Sequence, residues 1–462
     1  MAKSKVKFVC SDCGHEQPRW SGQCPQCKAW NTISEFKVSA SENTPAGKHR
    51  AQRAGYAGET DGKVKRVSEV VASDNERLKL SKGELNRVLG GGVTIGSANL
   101  LSGDPGAGKT TLLTETICEI SLTQKVLYAT SEESLAQFKN RMERLGCKYD
   151  DTNLFLLAET DVDSIIEKAI EVKARVVVVD SIQTVSGDYT GAPGSVGQVK
   201  GCAHQLTMFG KSNDVTFFIV GHVTKGSDVA GPQTLRHIVD GTFHIEVADN
   251  DLRLLRTTKN RFGEADAVGI FRMTEKGMAS IDNPSKIFLS RMIEDGPGSA
   301  ITCIRDGNRQ LLVEIQSLVT ATDSDFAQRV SMGVNMNRLK ILAAILKKHG
   351  RMSMNNDIYL SVIGGLKINE MDSSADLAIA ASLYSSYKEK AIDSDTCMLG
   401  ELSLAGEVRP ISNGVQRVQE AVKHGFKTIY IPKSNYHPKM ESDGVDIVQL
   451  VRVKEFLDRA FG

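Results

Sequence analysis

Residues Gly103–Thr111 read GDPGAGKTT, the G-x-x-x-x-G-K-[ST] spacing that carries a strand into a helix around a phosphate chain. A polyphosphate packs several negative charges into a small volume, so whatever holds it must bring backbone N–H groups close. Gly103, Asp104, Pro105, Gly106, Ala107 and Gly108 make that turn, with glycines where the backbone must wrap tightly. The helix beginning at Lys109 aims its positive end at the β-phosphate. Lys109 adds a mobile cation for the β- and γ-phosphates, Thr110 offers a hydroxyl to Mg²⁺, and Thr111 closes the motif. The ligand this chemistry implies is ATP with Mg²⁺.

The residues that could act on such a ligand follow in order. Lys125–Thr130 (KVLYAT) has the composition of a short apolar strand and runs into Ser131-Glu132-Glu133-Ser134. A carboxylate at a strand's C-terminal edge beside a phosphate loop can polarise the attacking water, which makes Glu132 the first candidate and Glu133 its deputy. The alternative is helix-start charge, with Ser131 as N-cap and both glutamates facing the dipole. Arg175–Ser181 (RVVVVDS) has the pattern of a strand buried on both faces, and Asp180 at its end is placed to hold Mg²⁺ through water. The next apolar run, Val215–Val220, ends in Gly221-His222. His222 is either a γ-phosphate sensor, a relay to nearby loops or a packed core histidine. After a strand at Leu252–Thr258 comes Lys259-Asn-Arg-Phe-Gly263. Lys259 and Arg261, one residue apart on extended chain, can point together toward a neighbour's γ-phosphate as an arginine finger does.

A second kind of chemistry sits near the start. Cys10 and Cys13 form one CxxC and Cys24 and Cys27 another, ten residues apart. Two such knuckles facing each other make a tetrahedral S₄ cage suited to zinc. A segment this short has no core of its own, so metal binding would supply its folding free energy. Trp20 and Trp30 are the chain's two tryptophans and are expected to cover the knuckles. Residues 37–65 are poor in large apolar side chains and read as a flexible, mildly basic linker.

The elements positioning these groups belong to a chain of 462 residues with net charge +1, long enough for two or three domains and without a global field for nucleic acid. No apolar run is long enough for a bilayer and no signal-peptide core begins the chain, so the expected location is the cytoplasm. The remaining five cysteines are scattered singly, which is no disulfide framework. Two glycine-containing stretches, Ser186–Gly197 and Lys225–Asp240, leave the sheet edge where ligands bind. They read as mobile loops, with Lys225 and Arg236 able to hold DNA phosphates, or as ordinary surface loops.

Taken together, GDPGAGKTT, ATSEES, VVVVDS, GHVTKGSDVAGP and KNRFG behind a four-cysteine ribbon resemble the bacterial RadA (Sms) DNA-repair ATPases, and KNRFG is that family's signature. The resemblance covers nearly the whole chain. It implies a RecA-like motor, similar also to DnaB-type helicases, assembled as a homo-hexameric ring on single-stranded and branched DNA. Such a ring drives branch migration of recombination intermediates beside a recombinase of the RecA type. Carried over by position, Lys109 and Thr110 bind nucleotide and Mg²⁺, Glu132 activates water, Asp180 is the Walker B carboxylate, and Lys259 and Arg261 act in trans. Residues 358–462 resemble the proteolytic domain of Lon proteases, which use a Ser–Lys dyad. Ser374 falls at the nucleophile, but Val415 stands where the lysine should be, so the domain is expected to lack peptidase chemistry.

The expected architecture is α/β: a zinc ribbon (1–36), a linker (37–65), a RecA-like P-loop core with a mainly parallel sheet (66–282), and a catalytically inactive Lon-protease-like α+β domain (283–462). An ATP-dependent Lon-type protease is the alternative, disfavoured by Val415. A KaiC-type ring that touches no DNA is a third reading. Replacing Cys24 and Cys27 with serine should release zinc and unfold residues 1–36 while sparing ATP binding. Metal analysis showing full zinc retention in that double variant would overturn the cage.

Overall fold

The computed structural model describes residues 6–10, 16–17, 19–23, 25, 28, 30, 33–37, 66–69, 76–222, 232–248, 251–289, 296–322 and 326–462. The chain divides into two compact units, Met1–Arg66 and Val67–Gly462. In the first, Glu16–Gln17, Val6–Cys10 and Ile33–Lys37 make a three-stranded antiparallel sheet in that order. A relay of side-chain amides and hydroxyls shapes the stretch between strands: Gln17 donates to Arg19 O and Ser21 Oγ, Ser21 to Gln23 O, and Gln23 to Lys28 O. Trp20 and Trp30 flank Gly22 but are 60% and 69% exposed, so they lie open to solvent instead of being enclosed.

The second unit is built on two sheets. Nine strands run in the order Gly277–Ser280, Val268–Thr274, Leu252–Asn260, Gly241–Val247, Ala98–Gly103, Thr216–His222, Val176–Asp180, Val126–Thr130, Leu154–Ala158. The six from Gly241–Val247 to Leu154–Ala158 are parallel, and the other three extend the sheet antiparallel. The valine run reads as its pattern requires. Val176 and Val178 pack into the core beneath the helices Lys109–Ser121 and Leu135–Leu145, while Val177 and Val179 pack into the core beneath Val162–Glu171 and Val196–Asn213. Each is essentially solvent-free, worth about 1.5–3 kcal/mol of burial per side chain.

The second sheet has seven strands: Arg329–Met332, Asn356–Val362, Arg309–Ala321, Ser299–Asp306, Thr396–Met398, Thr428–Pro432 and Asp446–Leu450. Helix Met336–Gly350 buries Leu339, Leu342, Ala343 and Leu346, whose spacing puts them on one face. The two sheets do not fold as separate cores. Leu252, Leu254, Val268, Ile270 and Ile281, on the outward face of the antiparallel extension, share one apolar cluster with residues of the seven-stranded layer. Around that seam, Arg309 grips the buried Glu84 carboxylate through both guanidinium ends at 2.6 and 2.7 Å, and Arg256 pairs with Asp306.

Glu84 also accepts the Ile270 N–H at 2.9 Å, so its charge is committed to this seam. Arg309→Ala should strand that buried carboxylate and destabilise the unit by about 3–5 kcal/mol. A denaturant midpoint equal to that of the parent would show that the pair holds nothing together.

Candidate nucleotide site

The phosphate loop leaves strand Ala98–Gly103 at the C-terminal edge of the parallel strands. Asp104, Pro105 and Gly106 form an exposed crest, and a side chain added at Gly106 would meet only open space. Gly103 and Gly108 have positive φ, and a Cβ on Gly108 would run into Met273 and Met278. Lys109 opens the helix, is buried, and donates to Gly103 O at 2.7 Å and Asp104 O at 3.1 Å. Burial lowers its pKa, opposed by Asp180, Glu132 and Asp104. The lysine thus lies folded across the loop whose concavity a phosphate would fill. Thr111 follows on the same helix.

Asp180 ends its strand almost fully buried, with Oδ2 3.4 Å from Thr110 Oγ1 and 2.7 Å from the Tyr128 hydroxyl that donates to it. Burial raises its pKa, offset by the Tyr128 hydrogen bond. A hydroxyl and a carboxylate facing each other beside the loop are a donor set suited to Mg²⁺. Glu132 lies on the next strand's edge. Its carboxylate receives the Ser181 hydroxyl and sits 2.9 and 3.1 Å from His222 Nε2. The His222 hydrogen bond lowers the Glu132 pKa, burial opposes it, and Ser181 and Lys109 add to the lowering. One ligand atom each from Glu132, Asp180 and His222 lies within 4.8 Å of the others.

Two expectations change here. The helix after Glu132 starts at Leu135, with Ser134 as N-cap in a reciprocal capping box with Gln137, so Ser131 caps nothing and neither glutamate stands in the first turn. Glu133 is no deputy: it is clamped by Arg141 and reached by Tyr128, which turns it into a brace. Sequence reasoning also missed Arg253, a buried guanidinium whose Nε donates to Ala107 O at 3.2 Å and props the phosphate loop from behind. Nothing in a lone arginine within a strand pattern flags that task.

Lys259 and Arg261 are elsewhere. Lys259 pairs through Thr242 with Leu100, and Arg261 N–H bonds Asp240 O, next to Ala98. Arg261 therefore lies five strand residues, about 16 Å, from Gly103, at the opposite end of the strand that carries the phosphate loop. Lys259 Nζ donates to Arg236 O and Val239 O, both at 2.7 Å. Arg236 itself donates to Thr258 O at 2.7 Å, and Lys225 lies outside the described residues. The Ser186–Gly197 stretch is tied down: buried Gln198 donates to Gly187 O, Tyr189 O and Gly191 O and accepts from Gly187 N–H. Three of the four ribbon cysteines, Cys13, Cys24 and Cys27, lie outside the described residues, while Cys10 ends a strand.

Family models match in the same order: a rubredoxin metal-binding domain over residues 8–35, an AAA domain over 65–228, and subunit ChlI of Mg-chelatase over 332–435. DNA repair protein RadA of Haemophilus influenzae is 43% identical, covering 99% of this chain and 98% of its own. The Escherichia coli and Bacillus subtilis RadA proteins are 42% and 41% identical over essentially both full lengths. The chain belongs to the RadA family of DNA repair proteins. The solved KaiC-like protein PH0186 of Pyrococcus horikoshii covers 45% of this chain and all of its own at a TM-score of 0.38 and 16% identity, too distant to add to that. This chain thus joins a zinc ribbon, a RecA-like P-loop ATPase core and a ChlI- or Lon-like C-terminal domain, and no helix among its described residues is long and apolar enough to cross a membrane.

In this RadA-family chain Ser374 is fully buried, and its hydroxyl faces Cys303 O at 3.3 Å. Arg417, two residues past Val415 and also fully buried, donates to Ser374 Oγ at 2.6 Å and pairs with Asp372. A guanidinium cannot take a proton from serine, so the place of a base is held by a permanent donor.

Because the His222 hydrogen bond is the largest cause of the lowered Glu132 pKa, His222→Ala should raise it, and the acid limb of ATP turnover should move to higher pH. A pH–rate profile with the parent's acid limb would remove His222 from the control of Glu132.

Proposed function

We propose that this chain is a DNA-stimulated ATPase of the helicase or translocase type, working as a ring of identical subunits on single-stranded and branched DNA during recombinational repair. The observation that carries it is the placement of Lys259 and Arg261 at the far end of the phosphate-loop strand, out of reach of their own loop. Cations so placed serve a neighbour's phosphates, which a ring of like-facing subunits provides. The relatives' printed role in DNA repair supports taking recombination intermediates as the substrate, with branch migration as the work done beside a recombinase of the RecA type.

Within one site, the loop from Gly103 to Gly108 and Lys109 hold the β- and γ-phosphates. Thr110 and Asp180 would hold Mg²⁺, which supplies charge neutralisation at the phosphate oxygens. Glu132 receives the proton of the attacking water, and His222 with Ser181 keep that carboxylate ionised and aimed. The neighbour's Arg261 and Lys259 meet the charge that develops on the γ-phosphate. The four cysteines of the ribbon are read as zinc ligands, residues 37–65 as a linker, and the boundary between core and C-terminal domain as falling near Asn283. With Arg417 in the base position, the C-terminal domain is a scaffold and not a peptidase.

Lys109→Ala and Arg261→Ala should each lose hydrolysis, the latter about 10³-fold or more with nucleotide binding retained. Mixing the two inactive proteins should restore turnover at shared interfaces, and single-stranded DNA should raise it. Mixtures that stay dead, from particles with the mass of a single chain, would overturn the reading.

A further inference from the structure

The finger side chain needs a fixed aim, and the residue that gives it one lies outside KNRFG. Asp240 is buried beneath the KNRFG turn, where three elements meet. Its Oδ1 takes Arg261 Nη1 at 3.1 Å and Lys211 Nζ, from the end of helix Val196–Asn213, at 2.8 Å. Its Oδ2 accepts the Ala98 N–H at 3.1 Å, at the root of the phosphate-loop strand. The backbone repeats these ties: Asp240 N–H donates to Ala98 O at 2.8 Å, and Asp240 O accepts Arg261 N–H at 3.1 Å. One residue thus locks the finger to the base of the strand whose other end holds ATP.

We infer that Asp240 is the positioning residue of the trans-acting finger: it fixes Arg261 in the direction of the neighbouring subunit's γ-phosphate. The inference rests on the trans reading above. The geometry of the guanidinium supports it. Asp240 occupies Nη1 alone, and Arg261 Nε and Nη2 bond to nothing among the described residues, so the donors that a phosphate needs are left presented. A long, half-exposed arginine otherwise samples many rotamers, and the buried carboxylate removes that freedom before the neighbour arrives. The charge balance agrees. Lys211 and Arg261 pair with this carboxylate, and Arg261, Lys211 and Arg236 each help to lower the Lys259 pKa, after burial, while Asp240 opposes them. Among the described residues, Asp240 is the acid that holds these mutually repelling cations together.

The test uses full-length Asp240→Asn. Turnover should fall about 10²-fold, as expected for a misplaced catalytic group, with ATP affinity in a fluorescent-nucleotide titration unchanged. Mixed with Lys109→Ala, whose finger is intact, Asp240→Asn subunits should regain turnover, because their own phosphate loop is sound. Mixed with Arg261→Ala they should not. The Lys109→Ala and Arg261→Ala mixture is the control. If the control stays dead, the trans reading fails and Asp240 with it. If the control recovers but Asp240→Asn with Lys109→Ala does not, the Asp240 assignment alone is overturned. Turnover that rises in Asp240→Asn would mark the carboxylate as a restraint on the finger and also overturn it. Should Asp240→Asn fail to bind nucleotide through misfolding, Asp240→Glu, which keeps the charge but moves it by a methylene, must give the same pattern of recovery.

Discussion

A parallel strand has two ends, and in the proposed ring the strand Ala98–Gly103 would separate two halves of one reaction centre. The phosphate loop springs from its C-terminal end and the Lys259–Arg261 turn is anchored beside its N-terminal end. An extended backbone at about 3.3 Å per residue cannot be shortened. Its length alone keeps a subunit's cations away from its own nucleotide. On the proposed reading the active site is a pair of complementary edges, and the rest of the core braces both. The valine strand is buried on both faces, Arg253 props the loop, and Gln198 clasps the Gly187–Gly191 turn.

Most of this was legible where chemistry dictates spacing. The phosphate loop, the strand ending in Asp180 and the helix starting at Met336 follow from glycine positions, an unbroken apolar run and helical periodicity. What escaped was set by tertiary contact. Glu132 and Glu133 are adjacent and identical in type, yet one faces Ser181 and His222 and the other faces Arg141 on the following helix. No local pattern separates them. Arg253 and Gln198 were equally silent, because a buried polar side chain reveals itself only through the carbonyls it satisfies.

In the C-terminal domain the surroundings of Ser374 were only partly legible. Sequence comparison pointed to Val415 as the missing lysine, whereas the group that meets Ser374 is Arg417, one half-turn along the helix Gly414–Lys423. Arg417 satisfies Ser374, Cys303 O, Ser412 O and Asp372 together, so a pocket that could host proton transfer is filled by a buried ion pair and its hydrogen bonds. Such a pocket contributes order to the fold, and the guanidinium that meets Ser374 has no lone pair with which to take its proton.

The apolar seam joining the two sheets carries a consequence for how the chain is made. Leu252, Leu254, Val268 and Ile270 belong to strands that are complete before the second sheet has been synthesised, yet the surface that shields them comes later in the sequence. While the ribosome is still extending residues beyond Ser299, the nascent ATPase core therefore presents a greasy stripe to its surroundings. A polypeptide stopped there keeps that stripe wet for good, a state prone to self-association.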